Sequence, residues 1–134
     1  MISIDAAART WAATWQRSWE ALEADPIVDL YAADAIFSSH PFREVARGRE
    51  GVRAYVEGAF ADEAGVRAWF DTPVVDGDRA SVRWWAALTE AGEEATLAGT
   101  SVLRFDADGL VVDQWDTWHL APGRTDPPAD WERS

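Results

Sequence analysis

A chain of 134 residues, 48% of them apolar and nine of them tryptophan, is long enough to build one domain with a large aromatic core. A formal net charge of -12 repels phosphate backbones and anionic lipid, which argues against nucleic acids and membrane surfaces as partners. The lack of cysteine and lysine excludes disulfides, thiolate catalysis, cysteine-based zinc sites and Schiff-base chemistry.

The N-terminal segment does not have the pattern of a signal peptide, which is a basic start followed by an apolar block. No apolar run approaches the ~20 residues of a membrane span. We therefore expect a cytoplasmic protein. The abundance of Ala, Arg, Asp and Gly is typical of a GC-rich bacterial gene.

Helices are predicted in the N-terminal half of the chain. After a helix start at Ser3 and Asp5, aromatic and apolar residues recur at helical spacing, at positions 11, 15, 19 and 22. The pair Asp25-Pro26 is typical of an N-cap followed by proline at the first helical position, and it predicts a short second helix. Residues 35–39 are predicted as a strand, and a third helix follows residues 48–51.

From Val66 onward the period of the apolar residues changes to two, which indicates strands. Four strands are predicted, at residues 67–75, 79–88, 95–105 and 110–120, with turns that contain glycine between them. The last segment, residues 121–134, is rich in proline and is predicted to be a tail.

The predicted order is helix, helix, strand, helix and then four strands. Helices first and strands last predict a single α+β domain, residues 1–134, with a mainly antiparallel sheet. Because long hairpin-linked strands curl, we expect a strongly curved sheet. The N-terminal helices would pack on its concave side and enclose a pocket.

Several segments, in this order, resemble a known superfamily. They are the helix WAATWQRSWEAL, the stretch YAADAIFSSHPFRE, the helix GREGVRAYVEGAF and the strand pair TLAGTSVLRFDADGLVVDQWDTWH. The chain resembles the nuclear transport factor two-like superfamily, and within it the SnoaL-like polyketide cyclases and the ketosteroid isomerases. The resemblance implies a cone-shaped fold, a pocket for a small hydrophobic ligand, and a homodimer formed through the convex face of the sheet.

The ketosteroid isomerases have catalytic groups that this chain does not keep. Where their first strand supplies an Asp base, the chain has Ser39 or His40. Where their penultimate strand has a protonated acid, it has Ser101, and near their helix tyrosine it has Trp15 or Ser18. Because the oxyanion hole is missing, the comparison argues against steroid isomerase activity.

The limonene-type epoxide hydrolases of the same superfamily match in part. The water-activating Asp on their last strand corresponds to Asp116. The Arg on their middle strand corresponds to Arg83, but the acid of the same pair is replaced by Trp85. Their Tyr and Asn on the first strand fall at Phe37 and Ser39.

Asp116 is the first candidate for a catalytic residue. Strand alternation and the family comparisons place it with Gln114 and Trp118 on the inward face of the last strand, among aromatic side chains. Burial raises the pKa of a carboxyl toward the range of a general base. The alternative is a structural salt bridge between Asp116 and Arg83.

His40 is the second candidate, as an acid or a second base, because imidazole transfers protons near neutral pH. The alternative is a histidine that caps a bend or hydrogen-bonds Ser39.

His119 lies three residues after Asp116 and is predicted on the opposite face of the strand. No spacing of these residues supports a metal site, and no cofactor is expected.

Aromatic side chains are predicted to line the pocket and to bind an apolar or polycyclic ligand, although core packing is the alternative for each of them. The predicted ligand contacts are Trp15, Trp19, Phe37, Ser39, Arg83, Trp85, Ser101, Gln114 and Trp118. Trp84 alternates with Trp85, so it is predicted on the convex face, in the homodimer interface.

Two functions remain open. The first is a cofactor-independent enzyme that acts on a small hydrophobic substrate by acid-base chemistry, as an isomerase, cyclase, dehydratase or hydrolase. The second is a non-catalytic ligand-binding or dimerisation module. An enzyme requires Asp116 and His40 to converge on one open cavity, whereas a module would pair them with other groups or fill the cavity with tryptophan.

Overall fold

The structure is a computed structural model that describes residues 2–134. Its helices are α1 (Ile4–Ala21), α2 (Asp25–Val28) and α3 (Gly48–Ala61). Its strands are β1 (Tyr31–Ser38), β2 (Ala46–Arg47), β3 (Glu63–Phe70), β4 (Val74–Asp76), β5 (Arg79–Glu90), β6 (Glu93–Phe105) and β7 (Val111–Pro122). Two predictions differ in detail. The first strand starts at Tyr31 instead of residue 35, and the predicted strand 67–75 is divided around Pro73, which cannot donate a ladder hydrogen bond.

The strands form one sheet in the order β2-β1-β7-β6-β5-β3, with β4 paired to β5. Every pairing is antiparallel except that of β1 with β7, which is parallel. The sheet is open rather than closed into a barrel, and helices pack on it. This architecture confirms the predicted α+β class with a mainly antiparallel sheet.

The first helix brings an aromatic face onto the sheet. Ser3 begins α1, because its Oγ accepts a hydrogen bond from the Ala6 backbone N at 3.0 Å. The side chains of Trp11, Trp15 and Trp19 follow at helical spacing and are buried, and the helix packs against β3 and β5. Three indoles therefore lie between α1 and the sheet.

No helix among residues 2–134, α1 included, is both long and apolar enough to span a membrane.

The polar side of α1 covers the edge strand β3. Gln16 Oε1 accepts a hydrogen bond from the Phe70 backbone N at 3.1 Å, and Glu20 Oε2 accepts one from the Ala68 backbone N at 2.9 Å. These bonds satisfy strand N–H groups that would otherwise be free to pair with another chain.

The C-terminal tail packs on the outside of the sheet. Arg124 Nη2 donates to the Gly65 carbonyl oxygen at 2.5 Å and to the Ala87 carbonyl oxygen at 3.2 Å. The ring of Trp131 lies edge-on to the ring of Trp85, with 6.0 Å between their centroids. The tail therefore covers part of the convex face of β3 and β5.

Candidate functional site

Two adjoining spaces open between the helices and the concave face of the sheet. The inner cavity has a volume of about 70 Å³, and most of its wall is aromatic. The outer groove is larger, about 460 Å³, and its wall includes the charged residues Arg43, Asp62 and Glu90. Both spaces are lined by Tyr55, Ala59, Glu63, Leu97 and Trp118, so these residues form the passage between them.

The carboxyl group of Asp116 forms part of the inner cavity wall. Its Oδ1 accepts hydrogen bonds from Ser101 Oγ at 2.6 Å and from Gln114 Nε2 at 3.0 Å. Its Oδ2 has only a longer contact with Gln114 Nε2, at 3.3 Å. Burial raises the pKa of Asp116 to about 7, although the hydrogen bonds from Ser101 and Gln114 lower it in part. Asp116 therefore changes its protonation state near neutral pH.

A chain of hydrogen bonds leads toward Asp116 from α1. The indole N–H groups of Trp11 and Trp15 donate to Tyr31 Oη at 3.4 and 3.1 Å. An indole can only donate, so Tyr31 must direct its own proton elsewhere, and it donates to Gln114 Oε1. This fixes the orientation of the Gln114 amide, and its Nε2 is left to donate to Asp116.

A second donor chain reaches Asp116 from the sheet. Trp84 Nε1 donates to Ser101 Oγ at 3.0 Å, and Ser101 in turn donates to Asp116 Oδ1. Both hydrogen-bond chains therefore donate toward Asp116. Oδ2, the oxygen that Ser101 does not bind, has one long contact with Gln114 Nε2 and so has more acceptor capacity left than Oδ1.

Among the polar residues of the site, Tyr31, Tyr55 and Glu63 were not predicted from the sequence. Tyr31 and Tyr55 are the two tyrosines of the chain, and a buried tyrosine hydroxyl normally needs a partner, which was a usable signal. Glu63 has no comparable signal, because it stands at the junction of α3 and β3, outside any regular alternation. Its Oε1 accepts a hydrogen bond from Trp19 Nε1 at 2.7 Å, and burial raises its pKa to about 7.

Comparisons with known proteins agree with this fold. The family model described as a SnoaL-like domain matches residues 7–114. The chain belongs to the SnoaL-like domain family. This membership confirms the resemblance that the sequence segments indicated.

The SnoaL-like domain is also similar to a solved structure of SalBIII, which is described as an epoxide hydrolase/cyclase-like enzyme in pyran ring formation in the polyether salinomycin. The TM-score is 0.74 at 17% sequence identity, and the match covers 87% of this chain and 95% of that one. At 17% sequence identity, this similarity supports the fold of the chain. No curated protein matches the chain.

The predicted pocket residues of the SnoaL-like domain divide into two groups. One group lines the inner cavity, and it consists of Trp15, Trp19, Phe37, Ser101, Gln114, Asp116 and Trp118. Ser39 is buried next to it: its carbonyl oxygen accepts a hydrogen bond from Trp118 Nε1 at 2.6 Å. The other group, which comprises Arg83, Trp85 and His40, does not line this cavity.

The orientation predicted for the middle of β5 is wrong. Trp84 points inward and is only 5% exposed, whereas Trp85 points outward, where its Nε1 donates to the Thr125 carbonyl oxygen at 2.8 Å. The comparison with the epoxide hydrolases is shifted by one residue on this strand, and a shift of one residue exchanges the two faces of a strand. Trp84 lies opposite Gly99 on β6, which has no side chain to compete for the inner face.

Arg83 lies on the convex side with Trp85. Its Nε pairs with Asp71 Oδ2, and its guanidinium lies 4.2 Å from the ring centroid of Trp131. It therefore neither polarises a ligand oxygen in the cavity nor pairs with Asp116. The salt-bridge alternative for Asp116 is wrong, because the hydrogen-bond partners of Asp116 are the neutral groups of Ser101 and Gln114.

His40 has the structural role that was the alternative to catalysis, because it caps a bend. Its Nδ1 accepts a hydrogen bond from the Phe42 backbone N at 3.2 Å, which caps the bend after β1. Its ring lies edge-on to Trp118, with 5.2 Å between the centroids. The structure does not bring His40 and Asp116 together on the cavity wall. Among the described residues, no group of three or more His, Cys, Asp or Glu side chains could hold a metal ion.

Proposed function

We propose that this SnoaL-like domain binds a small apolar molecule and moves a proton on it with Asp116. One observation carries the proposal: a buried carboxyl lies on the wall of an aromatic cavity, with two donors on Oδ1 and one longer contact on Oδ2. A pKa of about 7 lets this carboxyl act as a base or an acid near neutral pH. Proton transfer of this kind needs no cofactor.

The volumes of the two spaces limit the ligand. Ligand pockets usually measure about 300–1,000 Å³, so the inner cavity of about 70 Å³ admits one end of a ligand only. The outer groove, at about 460 Å³, has room for the remainder. We therefore favour a molecule with one or two rings, or a larger one that inserts a single small group.

A non-catalytic binding module is the second candidate, and one observation favours it. Tryptophan and phenylalanine side chains fill most of the space between α1 and the sheet: Trp15 stacks on Phe70, and Trp19 lies edge-on to both of them. A module would bind ligands equally well after Asp116 is neutralised. An enzyme would lose turnover while it keeps affinity.

Ligand binding is expected to quench tryptophan fluorescence, because five indoles line the inner cavity. A screen of terpenoid, aromatic polyketide and steroid scaffolds should yield a micromolar binder, which corresponds to about 8 kcal/mol of binding free energy. The neighbours Trp84 and Trp85 provide a matched pair that faces opposite sides of β5.

We expect Trp84→Phe to weaken binding about tenfold, because it removes ring contact and the donor to Ser101. Trp85→Phe should leave the dissociation constant unchanged. Equal affinities for the two variants, measured by titration calorimetry, would show that the ligand binds elsewhere.

We also propose that the chain forms a homodimer through the convex face of the sheet. Trp84 is buried on the concave side and is not part of that interface. The apolar side chains that this face exposes include Trp115 and Val102, cross-strand neighbours on β7 and β6 that are 54% and 45% exposed. An exposed apolar pair of this kind is suited to a partner surface.

Sedimentation of the protein at micromolar concentration should therefore give twice the monomer mass. Trp115→Glu places a charge in the expected interface and should yield monomers with unchanged circular dichroism. A monomeric parent protein would contradict the proposed dimer. Trp85→Glu, on the part of the convex face that the tail covers, is the comparison variant.

A further inference from the structure

Glu63 is the other carboxyl of the inner cavity wall, and the function proposed above does not use it. It stands in the passage, so it faces the inner cavity on one side and the outer groove on the other. A molecule that occupies both spaces must pass this side chain.

The carboxyl group of Glu63 is held in a defined position. Trp19 Nε1 donates to its Oε1 at 2.7 Å, and Trp19 is itself fixed against Trp15 and Trp84, at ring-centroid distances of 6.1 and 5.6 Å. Among the described residues, the hydrogen bond from Trp19 is the one that Glu63 accepts on its side chain. The second oxygen, Oε2, is therefore left for a ligand.

We propose that Glu63 is the second proton-transferring carboxyl of this site and works with Asp116 on opposite sides of a bound substrate. This inference rests on the proposed function. Tyr55 lines the inner cavity together with both carboxyls. The charges of Asp116 and of Glu63 both raise the pKa of its hydroxyl, after the larger effect of burial.

The surroundings of the two carboxyls assign them different roles. Asp116 accepts hydrogen bonds from Ser101 and Gln114, and such bonds stabilise a carboxylate. Glu63 accepts one bond, and two neighbouring acids act on it: Glu90, its cross-strand partner on β5, and Asp62 at the end of α3. Their negative charges favour the neutral form of Glu63. We therefore assign Asp116 as the base and Glu63 as the acid.

Other charged and titratable groups near Glu63 do not reverse this assignment. Arg43 lines the same groove, but its guanidinium lies over the ring of Trp118, 5.1 Å from the centroid. Tyr55 on α3 is neutral at these pH values because burial raises its pKa. On the side of α1, Trp19 contributes a neutral donor.

On a carbonyl substrate, the proposed step is an enolisation. The ionised Asp116 takes a proton from the carbon next to the carbonyl, and that C–H electron pair forms the new C=C bond. The neutral Glu63 gives its proton to the carbonyl oxygen, whose C=O π electrons form the new O–H bond. The product is a neutral enol, and the two carboxyls have exchanged protonation states. Proton exchange with water through the outer groove restores them.

The first test needs no substrate. The resonance of the Trp19 indole N–H, assigned with Trp19→Phe, reports the charge on Glu63 because the two groups are hydrogen-bonded. We expect this resonance to titrate with a midpoint near 7, and Glu63→Gln should abolish the titration. The amide oxygen of Gln keeps the bond from Trp19, so the fold is retained. A Trp19 resonance that does not move between about pH 5 and 9 would overturn the proposal.

The second test uses cyclohexenone deuterated next to its carbonyl, a small apolar C–H acid. The rate of deuterium loss to water is measured by NMR against pH. We expect a bell-shaped profile with its maximum near pH 7, since the base must be ionised and the acid neutral. Glu63→Gln should lower the maximum at least about tenfold and remove the decline at high pH. Glu93→Gln, the same change of charge at the exposed start of β6, is the control.

The outcomes separate the two proposals. If Asp116→Asn abolishes exchange while Glu63→Gln keeps the parent rate and profile, Glu63 has no catalytic role and the function proposed for Asp116 stands. If the parent protein does not accelerate exchange above the buffer rate, both proposals fail. Loss of exchange in Glu63→Gln, with the parent melting temperature and the predicted change of pH profile, supports the pair.

Discussion

Asp116→Asn is expected to abolish proton-transfer activity and, at about pH 8, to make the protein more stable. The pKa of Asp116 rises from 3.8 to about 7 on folding, mainly through burial. That difference corresponds to about 4 kcal/mol that the ionised carboxylate costs the folded state. An Asn side chain avoids this cost, but its buried Nδ2 lacks an acceptor, at about 1–3 kcal/mol. The expected net gain is roughly 1–3 kcal/mol.

The sign of this effect depends on pH. A raised folded-state pKa means that the stability linked to Asp116 is fully present below its ordinary pKa of 3.8 and is lost as pH rises through about 7. At about pH 4 the parent carboxyl is largely neutral, so the variant loses its advantage and only the unpaired amide remains. Urea unfolding of both proteins across this range should therefore show stability curves that cross.

Asp113→Asn provides the control on the same strand. Asp113 lies an odd number of residues from Asp116, on the other face of β7, opposite Arg104. The same chemical change should alter stability by less than about 0.5 kcal/mol there. If Asp116→Asn instead destabilises the protein at every pH and activity persists, Asp116 is a structural residue and the proposed function is wrong.

The fold could be predicted because its main signals are local. The helical spacing of Trp11, Trp15 and Trp19 and the later change to period two are properties of short windows of sequence. The parallel pairing of β1 with β7 could not be predicted in this way. It joins Phe37 to Gln114, and no local pattern specifies which distant strands become neighbours.

The part of the site that lies on a single strand could be predicted from the sequence. Alternation along β7 placed Gln114, Asp116 and Trp118 on one face, and all three line the inner cavity. On β5 the same alternation favours Trp84 on the inward face, whereas the family comparison placed Trp85 there. Val82, Trp84 and two further apolar residues, Ala86 and Leu88, form an uninterrupted inward row. Glu63 was not predictable, because its position depends on how α3 meets β3.

Gly99 explains why the inward row of β5 can include an indole, and it leads to the prediction with the largest effect on stability. Gly99 lies directly opposite Trp84 in the β5–β6 pairing. A Cβ at this position would come within 2.8 Å of Trp84 Cζ2 and within 2.6 Å of Trp118 Cβ. It would also lie 2.6 Å from the Thr117 carbonyl oxygen, a backbone atom of β7 that cannot move without breaking the strand pairing.

We therefore expect Gly99→Ala to destabilise the protein by about 3 kcal/mol or more, because overpacking against backbone cannot be relieved by a change of rotamer. The melting temperature should fall by roughly 10 °C, measured by calorimetry. Gly58→Ala is the matched control: Gly58 lies in α3 with nothing within 4 Å of an added Cβ, so that variant should gain about 1 kcal/mol.

A double variant identifies the contact responsible. Trp84→Leu shortens the side chain that lies over Gly99, so in its presence Gly99→Ala should cost less than in the parent protein. The remaining cost comes from Thr117 and Trp118, which Trp84→Leu does not change. If the cost of Gly99→Ala is the same in both backgrounds, Trp84 does not depend on the missing side chain of Gly99, and its inward orientation needs another cause.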